Sequence, residues 1–369
     1  LAKSPADRFP DMNAFDHELK RAAGGTASLE LAGPQGERSR PPSENLEAYD
    51  SYLRGIHSFN KRTARGNQRA IELLEQATRL DPSFALAFAA LAEAYIEQFF
   101  TYDPQEEWEE KAFVAIERGR AVDPGLARIY VAKGNLLWTR ARRFPHAEAL
   151  AEYRRALALN PDSVEALNEL ARVLWHIGQL DPAAAAFERA IALDPAFIDG
   201  RFRLGWVEQC RGNYARALEL LRMVPVGSLA PSADCLTALT LLYLDRKDAA
   251  RQVLARVDAQ HRDDPDFAST EAIFLALEGD AGAAEQRIAT AIAAGQALGH
   301  FHHVEYNIAV ALALLGQTQH ALEVLRRAAE GGFPCYPWFE RDPLLASLKG
   351  EPEFRELLAE LKTRWGTVR

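Results

Sequence analysis

Residues 161–195 read PDSVEALNELARVLWHIGQLDPAAAAFERAIALDP, and Pro195 falls in the register of Pro161, 34 positions on. Leu167, Leu170, Ala171 and Leu174 recur at i, i+3, i+4 and i+7, which is one face of an α-helix. Gly178 interrupts that pattern. Ala183, Phe187 and Ala190 then open a second helical face, and Asp194-Pro195 ends it, because proline cannot continue a helix interior. The stretch therefore predicts a helix, a tight turn and a second helix packed back on the first.

The same register extends over most of the chain. A small residue opens the second helix at Ala70, Ala112, Ala149, Ala183, Ala217, Ala250, Ala284 and Ala321. Four positions on stands a large apolar residue: Leu74, Ile116, Tyr153, Phe187, Leu221, Leu254, Ile288 and Leu325. Three further on stands a compact one: Ala77, Gly119, Ala156, Ala190, Val224, Val257, Ala291 and Ala328. Paired helices approach closely only where small side chains permit it, and a bulky residue fills the groove beside them. The alanines are spaced 42, 37, 34, 34, 33, 34 and 37 residues apart, so the second and third units carry insertions. The first insertion, near FFTYDPQEEWEEK, is acidic and holds Trp108.

A helix–turn–helix period of 34 residues resembles the tetratricopeptide (TPR) repeat. The resemblance is best in the first helices of unit two (Phe88, Leu91, Ala92, Tyr95) and unit five (Leu204-Gly205). It implies an all-α fold, a TPR α-solenoid forming a right-handed superhelix of about eight helix-turn-helix units. Asp81-Pro82, Asp123-Pro124, Asn160-Pro161 and Asp194-Pro195 close several of them, with the Asp or Asn placed to cap the next helix.

The expected organisation is residues 1–23 as a piece of another domain, 24–44 as a linker, 45–330 as the array and 331–369 as a cap. Within the cap, Phe354, Leu357, Leu358, Leu361 and Trp365 share one helical face, as a terminal unit requires. The cap is similar to the D-P-x-L-x-x-L ending of such arrays, which leads us to expect the true C-terminus here. The linker, GGTASLELAGPQGERSRPPSE, has too little apolar surface to order itself.

Leu1, Lys3, Pro5, Ala6, Arg8 and Phe9 resemble the L-x-K-x-P-x-x-R-F stretch that closes the C-lobe of Ser/Thr protein kinases. In that family the arginine at the Arg8 position is structural. The opening of unit one, EAYDSYLRGIHSFNKRTARGNQRAIELLEQATRLDP, is similar to the first repeat of arrays fused to bacterial kinases, winged-helix regulators and nucleotide cyclases. With the chain opening at Leu1, these likenesses imply a fragment of a kinase polypeptide, its ATP and magnesium confined to the missing catalytic domain. The chain itself has no Gly-rich loop, V-A-I-K, D-F-G or A-P-E. His261-Arg262-Asp263 spells the catalytic triplet, but Ala268 occupies the place of the magnesium-binding Asn.

The 369 residues carry a net charge of −9 and are 48% hydrophobic. That balance argues against nucleic acid or an anionic membrane as the main partner. Cys210, Cys235 and Cys335 are too scattered for a disulfide framework, and no apolar run is long enough to span a membrane. A reduced, cytoplasmic setting is expected. His300, His302 and His303 form the one dense histidine cluster, but no Cys or carboxylate stands at ligand spacing beside them, and no metal is assigned.

The array resemblance places the exposed face of each first helix along a concave groove. The inward offsets carry Asn135 and Trp138 in unit three, Asn168, Arg172 and Trp175 in unit four, and Phe202 and Trp206 in unit five. This predicts an aromatic strip for a protein or peptide partner, with self-association a further possibility. Ala89 and Glu93 replace two residues of the carboxylate clamp of chaperone-binding repeats, so that specificity is not expected. The function anticipated is recruitment of partners or substrates to a kinase through effective concentration, roughly millimolar for a linker of about 20 residues. The alternative is a sensor region behind a winged-helix or cyclase domain.

Overall fold

In a computed structural model, the structure describes residues 43–139, 141–295 and 300–367. The kinase-like stretch, residues 1–23, and the linker up to Pro42 lie outside the described residues. From Leu46 to Glu330 the described residues form eight successive helix pairs, with no strand among them. They are α1 (Leu46–Phe59) with α2 (Ala64–Leu80), α3 (Ala85–Glu97) with α4 (Glu106–Val122), and α5 (Ala127–Leu137) with α6 (His146–Leu159). Next come α7 (Val164–His176) with α8 (Leu180–Leu193), α9 (Ile198–Arg211) with α10 (Tyr214–Arg222), and α11 (Ser232–Tyr243) with α12 (Lys247–Ala255). The last pairs are α13 (Pro265–Glu278) with α14 (Ala281–Gly295), and α15 (His302–Leu314) with α16 (Thr318–Glu330). Beyond them lie two further helices, α17 (Tyr336–Arg341) and α18 (Pro352–Thr367), separated by a 3₁₀ segment at Pro343–Leu348. This is the TPR-type α-solenoid fold.

The register explains why the pairs close. All eight opening alanines are completely buried, and the eight large residues four positions on are buried too. Gly134 on α5 shows how tight the fit is, since a Cβ there would lie 2.4 Å from the Tyr153 ring. Each large residue so buried contributes roughly 1.5–3 kcal/mol.

The turns inside the pairs share a device. After α1, α5, α7, α9, α11, α13 and α15 the chain passes through left-handed backbone, at Arg62, Arg143 and Phe144, Gly178, Gly212, Asp245, Gly279 and Gly316. A left-handed residue ends a helix and lets the chain reverse. Unit two differs: α3 runs into a π-turn at Gln98–Tyr102, and Trp108 donates to Asp103 Oδ2 at 2.8 Å, which accounts for its longer spacing. His261-Arg262-Asp263 sits on a surface turn whose next residue, Asp264, caps α13 by accepting from the Asp266 N–H at 2.9 Å. That is a structural use for the stretch that spells the kinase triplet.

The chain divides into two compact units. One runs to Leu137 and adds Ala151–Ala166 and Leu193–Phe197; the other holds Trp138–Leu150, Leu167–Ala192 and everything from Ile198. The core of the first is built on Tyr52, Leu74, Phe84, Ile116 and Ile129. Within it Glu93 is buried and paired with Arg128, whose Nε donates at 2.6 Å. The inner face there is thus occupied by an acidic residue held by its own cation, unlike a carboxylate clamp. In the second unit Trp175, Phe187, Phe267, Phe333, Phe339 and Phe354 are the largest side chains buried to completion. Phe354, Leu357 and Leu361 turn the inner face of α18 into the core, and the Trp365 indole N–H donates to the Gly178 carbonyl at 2.9 Å. No described helix is long and apolar enough to cross a membrane.

Candidate functional site

In the first unit Asn135 is half-buried near the end of α5 and accepts the Tyr153 hydroxyl at 2.7 Å. It serves to seat the large residue of its own repeat. The other six residues expected to line the groove belong to the second unit. Trp138, Asn168, Trp175 and Phe202 are buried there, while Arg172 and Trp206 are half-buried. They do not form an open strip. Trp175 is only 2% exposed and packs on Trp206 with ring centres 4.8 Å apart.

What covers them is the same chain. The His303 ring stacks on Trp175 at 5.1 Å and 10°, and lies 4.7 Å from both Trp206 and Phe333. Trp138 packs edge-on against His176 at 4.8 Å and lies 5.1 Å from His300. Its indole N–H donates to His146 Nδ1 at 2.9 Å, and burial holds His146 down to about 4. The start of α15 and Phe333 beyond α16 thereby fill the space that the inward offsets of α7 and α9 face. The repeat pattern describes how neighbouring helices pair, and it is silent about residues more than a hundred positions apart that close on one another.

The polar members of the strip are also engaged. Arg172 donates to Glu169 Oε2 at 2.6 Å and to His300 Nε2 at 2.9 Å, and its guanidinium lies over Trp138 at 5.1 Å. Asn168 Nδ2 donates to Glu169 Oε1 at 2.7 Å. Burial, and next the neighbouring Arg172, pulls the Arg203 guanidinium below its usual value, and Asp199 stands 3.7 Å from it.

The histidine cluster gains a fourth member from far along the sequence. His176, the last residue of α7, brings its Nε2 to 3.1 Å from His303 Nε2, 127 positions away. His300 Nδ1 is 3.3 Å from His302 Nε2, and one nitrogen from each of the four rings falls within 4.8 Å of the others. Burial dominates their acid–base behaviour and holds His176, His300 and His303 well below the ordinary imidazole value. Neighbouring histidines push in the same direction for all three, and Arg172 does so for His300 and His303. The three are neutral at pH 7. His176, Arg203 and Phe333 carry no signal in the sequence beyond ordinary helix or loop positions.

Two cavities border this cluster, both within the second unit. One, of about 20 Å³, lies among Trp206, Tyr243, His303 and Phe333 and has room for about one water. The other is a cleft of about 640 Å³ lined by Arg143, Phe144, His302, Glu305, Arg327 and Arg364, among others. Its cations outnumber its carboxylates, since only Glu305 and Glu330 oppose the three arginines.

Residues 131–196 match the family model described as a tetratricopeptide repeat. Hsp70-Hsp90 organizing protein 1 of Glycine max is 33% identical over 113 residues, covering 31% of this chain and 19% of that protein. The peroxisomal targeting signal receptor of Eremothecium gossypii is 30% identical over 122 residues, covering 29% of this chain and 21% of its own length. The chain thus spans about a fifth of the length of these two relatives. Among solved structures, the human IFIT1 dimer with m7Gppp-AAAA superposes with a TM-score of 0.53 at 13% identity, over 87% of this chain and 78% of that one. At that identity the likeness is one of fold. Residues 131–196 are thus a tetratricopeptide repeat segment, and the paired helices with their small–large–small register carry the same fold through the described residues on either side of it.

Proposed function

We propose that the chain is a protein-interaction module, a TPR array that recruits a partner or substrate to a Ser/Thr protein kinase of which it forms the C-terminal region. The observation that carries the interaction reading is the eightfold register buried in the helix pairs, an architecture whose outer faces are free to vary while its core is kept. Two of the relatives are named for proteins or signals they handle, Hsp70 and Hsp90 in one and a peroxisomal targeting signal in the other. The kinase half rests on Leu1, Lys3, Pro5, Arg8 and Phe9 and on the opening of unit one. ATP and magnesium belong to that other domain.

The partner face we assign to the cleft beside α15 and α16. It holds about 640 Å³, and although Arg327 pairs with Glu305 at 3.3 Å, three arginines against two glutamates in its lining suit a partner that presents carboxylates. The strip of Asn135, Trp138, Asn168, Arg172, Trp175, Phe202 and Trp206 serves a partner only once the His300–His303 segment has moved away from its aromatic members. The test begins with the reading frame upstream of Leu1. H-R-D and D-F-G motifs there support the kinase, and a winged-helix or cyclase domain replaces it with the sensor reading. In the full polypeptide, removing residues 45–369 should slow phosphorylation of a protein substrate and leave a short peptide substrate unaffected. Equal loss on both refutes recruitment.

A further inference from the structure

We propose that His176, His302 and His303, with His300 as a fourth ligand, form a binding site for a divalent late transition ion, zinc being the best fit. A metal site asks for the right donors, spacings, supporting hydrogen bonds and an access path, and each can be read from the fold.

The donors are imidazoles alone, which suit zinc, copper and nickel far better than magnesium or calcium. Tetrahedral zinc with bonds of about 2.0–2.1 Å places its ligand nitrogens about 3.3–3.4 Å apart. The two close pairs here stand at 3.1 Å (His176 Nε2 to His303 Nε2) and 3.3 Å (His300 Nδ1 to His302 Nε2). All four donors lie within 4.8 Å of one another, so the remaining pairs need only contract modestly around an ion.

The supporting bonds set the right nitrogens inward. His176 Nδ1–H donates to the Arg172 carbonyl at 2.7 Å, and His302 Nδ1–H donates to the Gly331 carbonyl at 2.7 Å. Each bond fixes the tautomer that turns a basic Nε2 toward the cluster, as the outer hydrogen bonds of metal-bound histidines do. His303 donates its Nε2 proton to His176 Nε2, so before both Nε2 atoms can face an ion that proton passes to His303 Nδ1, giving the other neutral tautomer. His300 is the conditional ligand. Its Nε2 accepts from Arg172, so Nδ1 carries its proton, and it joins only after exchanging that bond. Until then a water completes the tetrahedron.

The electrostatics also permit an ion. Arg172 and Arg203 stand near the rings, but Glu169 pairs with the first at 2.6 Å and Asp199 lies 3.7 Å from the second. The cleft of about 640 Å³ is lined in part by His302 and supplies the path from solvent. The ion would tie α7 to the start of α15, holding closed the segment that covers Trp138, Trp175 and Trp206.

The experiment is a titration of the chelator-treated chain with zinc, and in parallel with cobalt(II), whose visible absorption reports tetrahedral ligation. The expected result is about one ion per chain, an intense visible cobalt band, and a midpoint of unfolding raised by roughly 5 °C or more at saturating zinc. The variant H176Q/H303Q should lose the band and the shift, while H57Q/H261Q/H320Q, which removes histidines outside the cluster, keeps both. If H176Q/H303Q does not fold, the single variant H303Q, at a half-buried ring, decides instead: a weakened cobalt band in a folded chain supports the site, and an unchanged band overturns it. Wild-type chain that takes up no stoichiometric zinc, or binding unchanged in a folded H176Q/H303Q, overturns the proposal.

Discussion

Replacing Trp175 by alanine separates an open groove from a filled one. An indole on an exposed strip is removed at little cost to stability, within about 0.5 kcal/mol for ordinary surface positions. Trp175 instead is 2% exposed, with Trp206, His176, His303 and Phe333 against its ring at 4.7–5.9 Å. A tryptophan buries up to about 250 Å², worth about 6 kcal/mol at 25 cal/mol per Å². A compact unfolded chain hides part of that area already, which brings the figure down by 10–40% or so. Large-to-small substitutions of aromatic residues in cores cost about 3–5 kcal/mol, in agreement. The expected result for Trp175→Ala is therefore a loss of about 3–5 kcal/mol in the second unit, with a midpoint about 10 °C lower. The assay is urea and thermal unfolding monitored by near-UV and far-UV circular dichroism, both probes being needed because an array need not unfold in one step. Phe113→Ala, on a side chain 49% exposed in the first unit, is the control and should change little. A loss below about 1 kcal/mol for Trp175→Ala would refute the packed arrangement and restore the strip as a free surface.

Three other outcomes rest on particular residues. Asp342 is fully buried and accepts from Tyr306, Tyr243 and the Leu344 N–H, yet burial outweighs these bonds and raises its carboxyl from 3.8 to about 6. The folded chain therefore holds that proton more tightly than the unfolded one, and the stability it contributes is complete below pH 3.8 and lost as pH rises through 6. The stability of wild type relative to Asp342→Asn should fall by about 2.4 kcal/mol from pH 4 to pH 7, and a flat difference in paired urea titrations would show an ordinary carboxylate. Gly178→Ala places a Cβ at φ +78° and 2.5 Å from Pro337 Cδ, so unfolding titrations should show a loss of about 1–2 kcal/mol or more, and no loss would mean the α17 segment does not rest there. Cys210, Cys235 and Cys335 are buried, and burial pushes the first two thiols well up. A charged thiol reagent should react with none of the three in the native chain and with all three in denaturant, and rapid native labelling would contradict their burial.

The repeat can be read from residues 161–195 because its cause is local. Small residues at Ala183 and Ala190 and a bulky Phe187 between them decide how a helix meets the one just before it, and those partners are neighbours in sequence. The same holds for Gly178, Gly212, Gly279 and Gly316, which mark turns that need left-handed backbone. Arg62, Arg143, Phe144 and Asp245 make the equivalent turns without glycine, so those units carry weaker signals.

The site belongs to the other category. Trp138, Trp175 and Trp206 stand at the inward offsets whichever way the array curves, and sequence periodicity carries no term for what fills the space in front of them. That is decided by His300, His302, His303 and Phe333 arriving from the far end of the second unit. His176 likewise reads as a helix-terminal residue until His303 lies 3.1 Å from it. The repeat, its register and its turns are thus written along the chain, because each depends on contacts within one helix pair. The burial of the aromatic strip and the gathering of four histidines depend instead on the sum of many small rotations between successive pairs of the second unit, and they exist only in the folded molecule.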